Sequence, residues 1–228
     1  MYGKILADNE YQQIMNKISS FQFIDDGKWD WEHGREHALR VSEYTKRILS
    51  DLKVDAHDIE LGMIAALLHD IGLSSGTKKN HAEKSAEMAQ KYLQKWKIGN
   101  IDKKKIIDAI KDHSNGKNIK SFIGAALLLA DKLDISYHRV KNSSIRDEIN
   151  MEFSKINRVD VEICGDYIYI FFKTFKKFNP QIFKNWEKPL TIPYMVAKYL
   201  NKKCIIKLNH ENLEIESVVG KEKCKQIC

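Results

Sequence analysis

The chain has 228 residues, 43% hydrophobic and 30% charged, with a formal net charge of +7. That length buries a sizeable core, and that composition is the one expected of a soluble globular protein. No apolar run approaches the ~18–20 residues of a membrane span, and residues 1–8 lack the apolar core of a secretory leader, so a cytoplasmic protein without a membrane partner is expected.

Four cysteines (Cys164, Cys204, Cys224 and Cys228) lie in the last third with no C-x-x-C pair, which suits reduced thiols. The basic residues are scattered, with small clusters at Lys78-Lys79, Lys103-Lys104-Lys105 and Lys202-Lys203 and no aromatic-interleaved stripe. Nucleic acid is therefore disfavoured as a partner, and the positive field is read as assisting anionic small molecules.

Residues 9–21 place Tyr11, Ile14, Ile18 and Phe21 at helical spacing, and 21–31 reads as a loop around Asp25-Asp26-Gly27. A second helix is expected over 33–52, its buried stripe formed by Val41, Tyr44, Ile48 and Leu52. His37 sits one turn back on that stripe, and His33 one further turn back at the helix mouth. Asp55 is placed to N-cap a third helix ending at His69-Asp70. Its stretch 58–68 has too few polar positions for a surface helix and reads as a core element, with Gly72 closing its C-terminus. A fourth helix starts near Asn80 with His81, Ser85, Met88, Ala89, Tyr92 and Trp96 on one face. A fifth spans 102–112 with Ile106, Ile110 and His113 in register, stopped by Ser114-Asn115-Gly116. A sixth covers 121–140 with Asp131 and Asp134 in phase with Ile123 and Leu127, and a seventh covers 143–156.

The period then changes. Val159, Val161 and Ile163 alternate with polar residues, Gly165-Asp166 forms a two-residue turn, and 167–175 is a strand. Pro193 is placed in the first turn of a helix ending near Leu200, and strands follow over 204–208 and 213–219 before a polar tail. The expected fold is mainly α: a helical metal-binding domain over 1–156 and a small α+β appendage over 157–228, its sheet antiparallel with one helix.

Five helices thus deliver metal-competent side chains to inward faces: His37, His69 with Asp70, His81, His113 and Asp131. Buried together without partners these groups would be costly, and bound cations satisfy them jointly. Six ligands exceed what one catalytic metal takes from protein, so two ions are expected, with Asp70 bridging. Imidazole and carboxylate without thiolate favour iron, manganese, cobalt, nickel or zinc.

His37-Ala38-Leu39-Arg40-Val41, Leu68-His69-Asp70-Ile71-Gly72 and Leu129-Ala130-Asp131-Lys132-Leu133-Asp134 resemble the three signature segments of the HD superfamily of metal-dependent phosphohydrolases, over roughly residues 30–140. His81 and His113 resemble the two extra histidines of its dinuclear subset, which includes HD-type diadenosine tetraphosphate hydrolases, HD-GYP phosphodiesterases and HD-type di-iron oxygenases. No Gly-Tyr-Pro follows His113, which disfavours cyclic-dinucleotide hydrolysis, and the Glu-Asp pair of mononuclear alarmone hydrolases is absent.

The resemblance implies a helical bundle, two divalent ions and hydrolysis of a phosphoester or phosphoanhydride of a nucleotide or related small phosphate compound by a metal-bridging hydroxide. Asp70 and His69 are the expected catalytic pair, and Lys132, Arg139, Lys84 and His33 the candidates to hold substrate. His138 is a further candidate donor to a leaving group, while His57 and His210 read as surface residues. Two other readings share the ligand set: a di-iron oxygenase, and a non-catalytic metal-containing sensory or binding module. Oligomeric state is not legible in the sequence.

Overall fold

Asp55 accepts a hydrogen bond from the Asp58 amide and so starts the helix Ala56–Leu68 (α4), in which Leu61, Gly62 and the whole run Ile64–Leu68 are buried. A helix apolar on nearly every side forms only where others surround it, and the first unit supplies them. The computed structural model describes residues 1–21, 24–25, 28–29, 31–114, 116, 119–140 and 148–220, and divides into two units, Met1–Asp131 and Lys132–Cys228.

The first unit runs through Tyr2–Leu6 (α1), Asn9–Ser20 (α2), a two-residue ladder of Ile24–Asp25 (β1) with Lys28–Trp29 (β2), and Arg35–Asp51 (α3). After α4 and a 3-10 turn at Ile71–Ser75 come His81–Tyr92 (α5) and Asn100–Asp112 (α6), followed by Phe122–Leu133 (α7), whose last two residues fall to the second unit. α3 and α6 pack on α4, while α5 packs on α6 and on the 3-10 turn. α1 is too short to show a period in the sequence, yet it buries Ile5 completely. Among the described residues no helix is long and apolar enough to cross a membrane.

Gly72 serves a purpose other than the expected C-terminal cap. Its amide donates to Ser85 Oγ at 2.9 Å, and a Cβ there would lie 2.5 Å from the Ser85 amide nitrogen and 2.8 Å from the His81 carbonyl oxygen. The 3-10 turn and the first turn of α5 therefore touch backbone to backbone, and this contact sets where His81 stands. The left-handed residue that ends the turn is Gly76, at φ +83°.

α7 ends at Leu133, seven residues before the expected limit. There the buried Arg139 folds back, its Nη1 donating to the Asp134 carbonyl at 3.1 Å, and that bond replaces a continuing helical turn. Of the expected seventh helix, Glu148–Phe153 (α8) is described, and residues 143–147 lie outside the described residues, as does the tail 221–228 with Cys224 and Cys228.

In the second unit Ile156–Cys164 (β3) and Tyr167–Thr174 (β4) form the expected hairpin, with Gly165 at φ +55° in its turn. Val159, Val161 and Ile163 on β3 and Ile168, Ile170 and Phe172 on β4 face the core. Phe172 and Phe153 meet Phe183 there, each pair with ring centroids 5.4 Å apart. The chain then crosses over through Lys188–Tyr199 (α9) to Lys203–Leu208 (β5), which pairs parallel to β4, and Glu211–Asn212 (β6) closes the order β3-β4-β5-β6. The sheet is therefore mixed, because a connection carrying a whole helix returns the chain in the same direction.

Pro189 takes the first-turn position, and Pro193 sits inside α9, where it removes only the bond to the Pro189 carbonyl. Residues 213–219 are not a strand: Ile215 and Val218 are buried at a helical spacing in Ile215–Val219 (α10). The hydrophobic period changes where β3 begins, whereas compactness groups α8 with the sheet.

A Gly72→Ala variant forces two backbones apart and should cost about 1–3 kcal/mol, since overpacked contacts with no flexible side chain to yield are destabilising. Thermal unfolding should show a Tm lowered by several degrees, while Gly3→Ala, where nothing lies within 4 Å of the added Cβ, should leave Tm unchanged or slightly raised.

Candidate metal centre

Two of the six expected ligands end helices in the same way. His69 follows the last residue of α4 and His113 the last residue of α6. Each bends its ring back so that Nδ1–H donates to the carbonyl three residues earlier, Ala66 at 2.7 Å and Ile110 at 2.6 Å. A helix C-terminus leaves such carbonyls unsatisfied, so the local fold fixes each ring and its tautomer together. His81, the first residue of α5, does the same with the Lys78 carbonyl at 3.1 Å. In all three rings the lone pair is left on Nε2.

Those Nε2 atoms converge. His81 and His113 face each other with Nε2 atoms 3.2 Å apart, as do His37 and His69. Asp70 lies between the pairs and divides its oxygens. Oδ2 is 3.3 Å from His69 Nε2 and 3.7 Å from His37 Nε2, whereas Oδ1 is 3.7 Å from His113 Nε2 and 3.8 Å from His81 Nε2. Asp131, from α7, places Oδ1 3.4 Å from His37 Nε2 and 3.8 Å from His69 Nε2. His37, His69, Asp70, His113 and Asp131 are buried, and His81 is partly exposed.

Two ring nitrogens 3.2 Å apart need a proton or a metal ion between them, since the lone pairs of two neutral rings facing each other would repel. Two ligands ~2.1 Å from a common ion stand ~3.0–3.4 Å apart, so the observed separations fit a shared metal ion. The donor chemistry fits as well: neutral imidazoles oriented by backbone carbonyls, with carboxylates alongside, make the usual surroundings of a borderline-soft divalent ion. Among the described residues three groups of side chains could each hold an ion: His33, His37 and Asp70; His37, His69 and Asp131; and His69, Asp70 and His113.

Burial works against charge on Asp70, but His69 and His33 outweigh it and hold the carboxyl well below the usual carboxylate range. For His69 burial opposes the imidazolium, yet Asp70 and Asp131 together raise its pKa above the ordinary value. The raised His69 value reports the negative potential of the two carboxylates and the lowered Asp70 value the positive potential of the imidazoles beside it, so each group favours the charged form of the other.

His33 is the member whose place the sequence did not fix. It precedes α3, as Gly34 is the helix N-cap, and its Nδ1 is 2.8 Å from Asp70 Oδ2. The signal available is its spacing of four from His37, which places it at the helix mouth as a candidate to hold substrate and does not by itself join it to the cluster. Lys84 lies in the first turn of α5 and is partly exposed. Lys132 and Arg139 belong to the second unit, where the Arg139 guanidinium is engaged with Asp134, its Nε 3.7 Å from Oδ2.

The HD domain model matches residues 34–152, more than half of the chain. The chain belongs to the HD domain family. It is also similar to a crystal structure from an uncultured Thermotogales bacterium, described as a predicted HD superfamily hydrolase, at 30% identity and a TM-score of 0.43. That likeness covers 55% of this chain, which spans about two thirds, 66%, of the other's length. None of the curated proteins matches.

Titration with Mn²⁺ followed by calorimetry should give two ions per chain. His81→Ala and His113→Ala should each lose one, and Asp70→Ala most of both. A proton on His69 blocks ligation and its pKa is raised, so apparent affinity should fall as pH drops through values above ~6.5, not only below it. Affinity unchanged between pH 8 and pH 6 would contradict this.

Proposed function

We propose that this HD domain protein is a dinuclear metal-dependent hydrolase that cleaves a phosphoester or phosphoanhydride bond of a nucleotide or related small phosphate compound. The observation that carries this reading is the division of Asp70: one oxygen is turned to His33, His37 and His69, the other to His81 and His113. One carboxylate shared between two sets of imidazoles is the arrangement that brings two ions close enough to act on one substrate. Divalent ions held there supply Lewis acidity toward phosphoryl oxygens and a water of lowered pKa.

The chain's own residues do the rest. His69, His81 and His113 are locked by their Nδ1–H bonds to backbone carbonyls, so no reorientation is needed when charge develops in the reaction. Burial of His37, His69, Asp70 and Asp131 keeps bulk water from competing for these positions. His33 holds a proton between Nδ1 and Asp70 Oδ2, which orients the carboxylate and stores a proton at the partly buried edge of the cluster. Lys84 is the candidate in this unit to meet a phosphate, from the turn that also presents His81.

Phosphate release from a panel of nucleotides and dinucleoside polyphosphates should require Mn²⁺, Co²⁺ or Fe²⁺ and should vanish with chelator. His33→Ala should keep both ions yet lose kcat/KM by about ten- to a hundredfold, as expected for a charged hydrogen bond of ~1.5–3 kcal/mol. A metal-replete protein that releases no phosphate but consumes dioxygen with a candidate substrate would replace this reading with the oxygenase.

A further inference from the structure

The second unit carries an open sheet face that the metal centre does not use. On β4 the side chains alternate: Ile168, Ile170 and Phe172 enter the core, while Tyr167, Tyr169 and Phe171 stand on the other face, each partly exposed. Those three rings form one row, with centroids 5.7 and 6.1 Å apart and planes within 26° and 15° of parallel.

The flanking strands give the row two different sides. From β5, Lys203 pairs in register with Tyr167 and Lys207 with Phe171, and their ammonium groups lie 5.8 and 5.9 Å from those ring centroids. From β3 come Glu162 opposite Tyr169 and Asp160 opposite Phe171. Asp160 is already matched by two cations, Arg158 Nε and Lys173 Nζ, each at 3.1 Å. Just beyond β4, Phe175 is 58% exposed with its ring edge-on to Tyr137.

Charge is divided between the units in the same sense. Lys132–Cys228 holds 18 basic against 12 acidic residues, whereas Met1–Asp131 holds 20 against 19, so +6 of the net +7 belongs to the unit with the aromatic row. A basic aromatic surface is complementary to a polyanion whose bases are unpaired. Four-stranded sheets with aromatic side chains on an open face bind single-stranded RNA by stacking two or three bases, and stacking tolerates sequence because every base has a π-face. A duplex hides those faces, and an apolar peptide leaves the lysines unanswered.

We propose that the open face of this sheet binds single-stranded nucleic acid, with bases stacking on Tyr167, Tyr169 and Phe171 and phosphates lying along Lys203 and Lys207. Asp160 and Glu162 then border the base side, where carboxylates accept from exocyclic amines. The expectation that disfavours nucleic acid rests on contiguous sequence, in which the pairing of β4 with β5 is not visible.

The test is fluorescence anisotropy of the 228-residue chain with a fluorescein-labelled single-stranded oligonucleotide of mixed sequence and with its duplex. Binding in the micromolar range at ~0.1 M salt is expected, with the duplex weaker. Tyr169→Leu, which keeps an apolar side chain suited to a strand, should weaken it about 5- to 150-fold, the equivalent of ~1–3 kcal/mol per stacked base, whereas Tyr169→Phe should stay within about twofold. The double variant Lys203→Ala, Lys207→Ala should flatten the slope of log affinity against log salt by about 1.4, and Lys104→Ala in the first unit should leave it unchanged. Far-UV circular dichroism and Tm matching the native chain establish that each variant is folded. No binding to either probe, a duplex bound as tightly as the single strand, or Tyr169→Leu binding like the native chain would each overturn the proposal. So would self-association abolished by Tyr169→Leu, which would give the face to a second copy.

Discussion

One electrostatic requirement governs the cluster of the first unit: the Nε2 atoms of His37, His69, His81 and His113 and the carboxylates of Asp70 and Asp131 converge in a space that is buried except on the side of His81. His81 and His113 cannot keep Nε2 atoms 3.2 Å apart as neutral rings without positive charge between them, because both have given their Nδ1 protons to backbone carbonyls. Crowding of the same kind surrounds Asp70, whose oxygens lie within 3.8 Å of five ring nitrogens. A site of this kind is costly without a cation and favourable with one, so metal binding and the integrity of the helical core are linked.

The helices meet that requirement through their ends. α4 and α6 both deliver a ligand at the residue after their last turn, where the unsatisfied carbonyls orient the ring and the negative end of the helix dipole faces the cluster. α5 delivers its ligand from the opposite end, and it reaches the cluster because Gly72 lets the preceding 3-10 turn touch it backbone to backbone. α3 contributes His37 from a wholly buried position and the residues before it contribute His33. The apolar surroundings of α4 make this arrangement rigid: Leu67 and Leu68, immediately before the His-Asp pair, have no exposed surface at all.

The second unit obeys a different rule. Its sheet buries one face against aromatic packing centred on Phe153, Phe172 and Phe183, and leaves the other face to Tyr167, Tyr169 and Phe171. The β3-β4 hairpin alone would leave β4 with one neighbour. The parallel return through α9 instead brings β5 and its lysines into register with the rings, joining residues that are thirty-six positions apart, Tyr167 with Lys203.

The cluster of side chains was legible in the sequence because each member lies on or just beyond an apolar helical stripe, and burial of a polar residue type demands a partner wherever the helix packs. His69, Asp70 and Asp131 could be named from that argument together with the flanking segments. Strand alternation over 159–163 and the Gly165 turn were legible for the same local reason, since periodicity and turn chemistry are properties of neighbours in the chain. What the chain order could not decide is which distant backbones come together. Gly72 reads as a helix cap in the sequence, whereas the backbone of α5 presses against it, and His33 reads as the mouth of a helix, whereas its ring lies on Asp70. Residues 213–219 looked like a strand, although Ile215 and Val218 bury as one turn of helix, because four to seven apolar residues fit either period. The lysine and aromatic rows were invisible for the plainest reason: they lie on separate strands, and only the parallel pairing of the sheet makes them one surface.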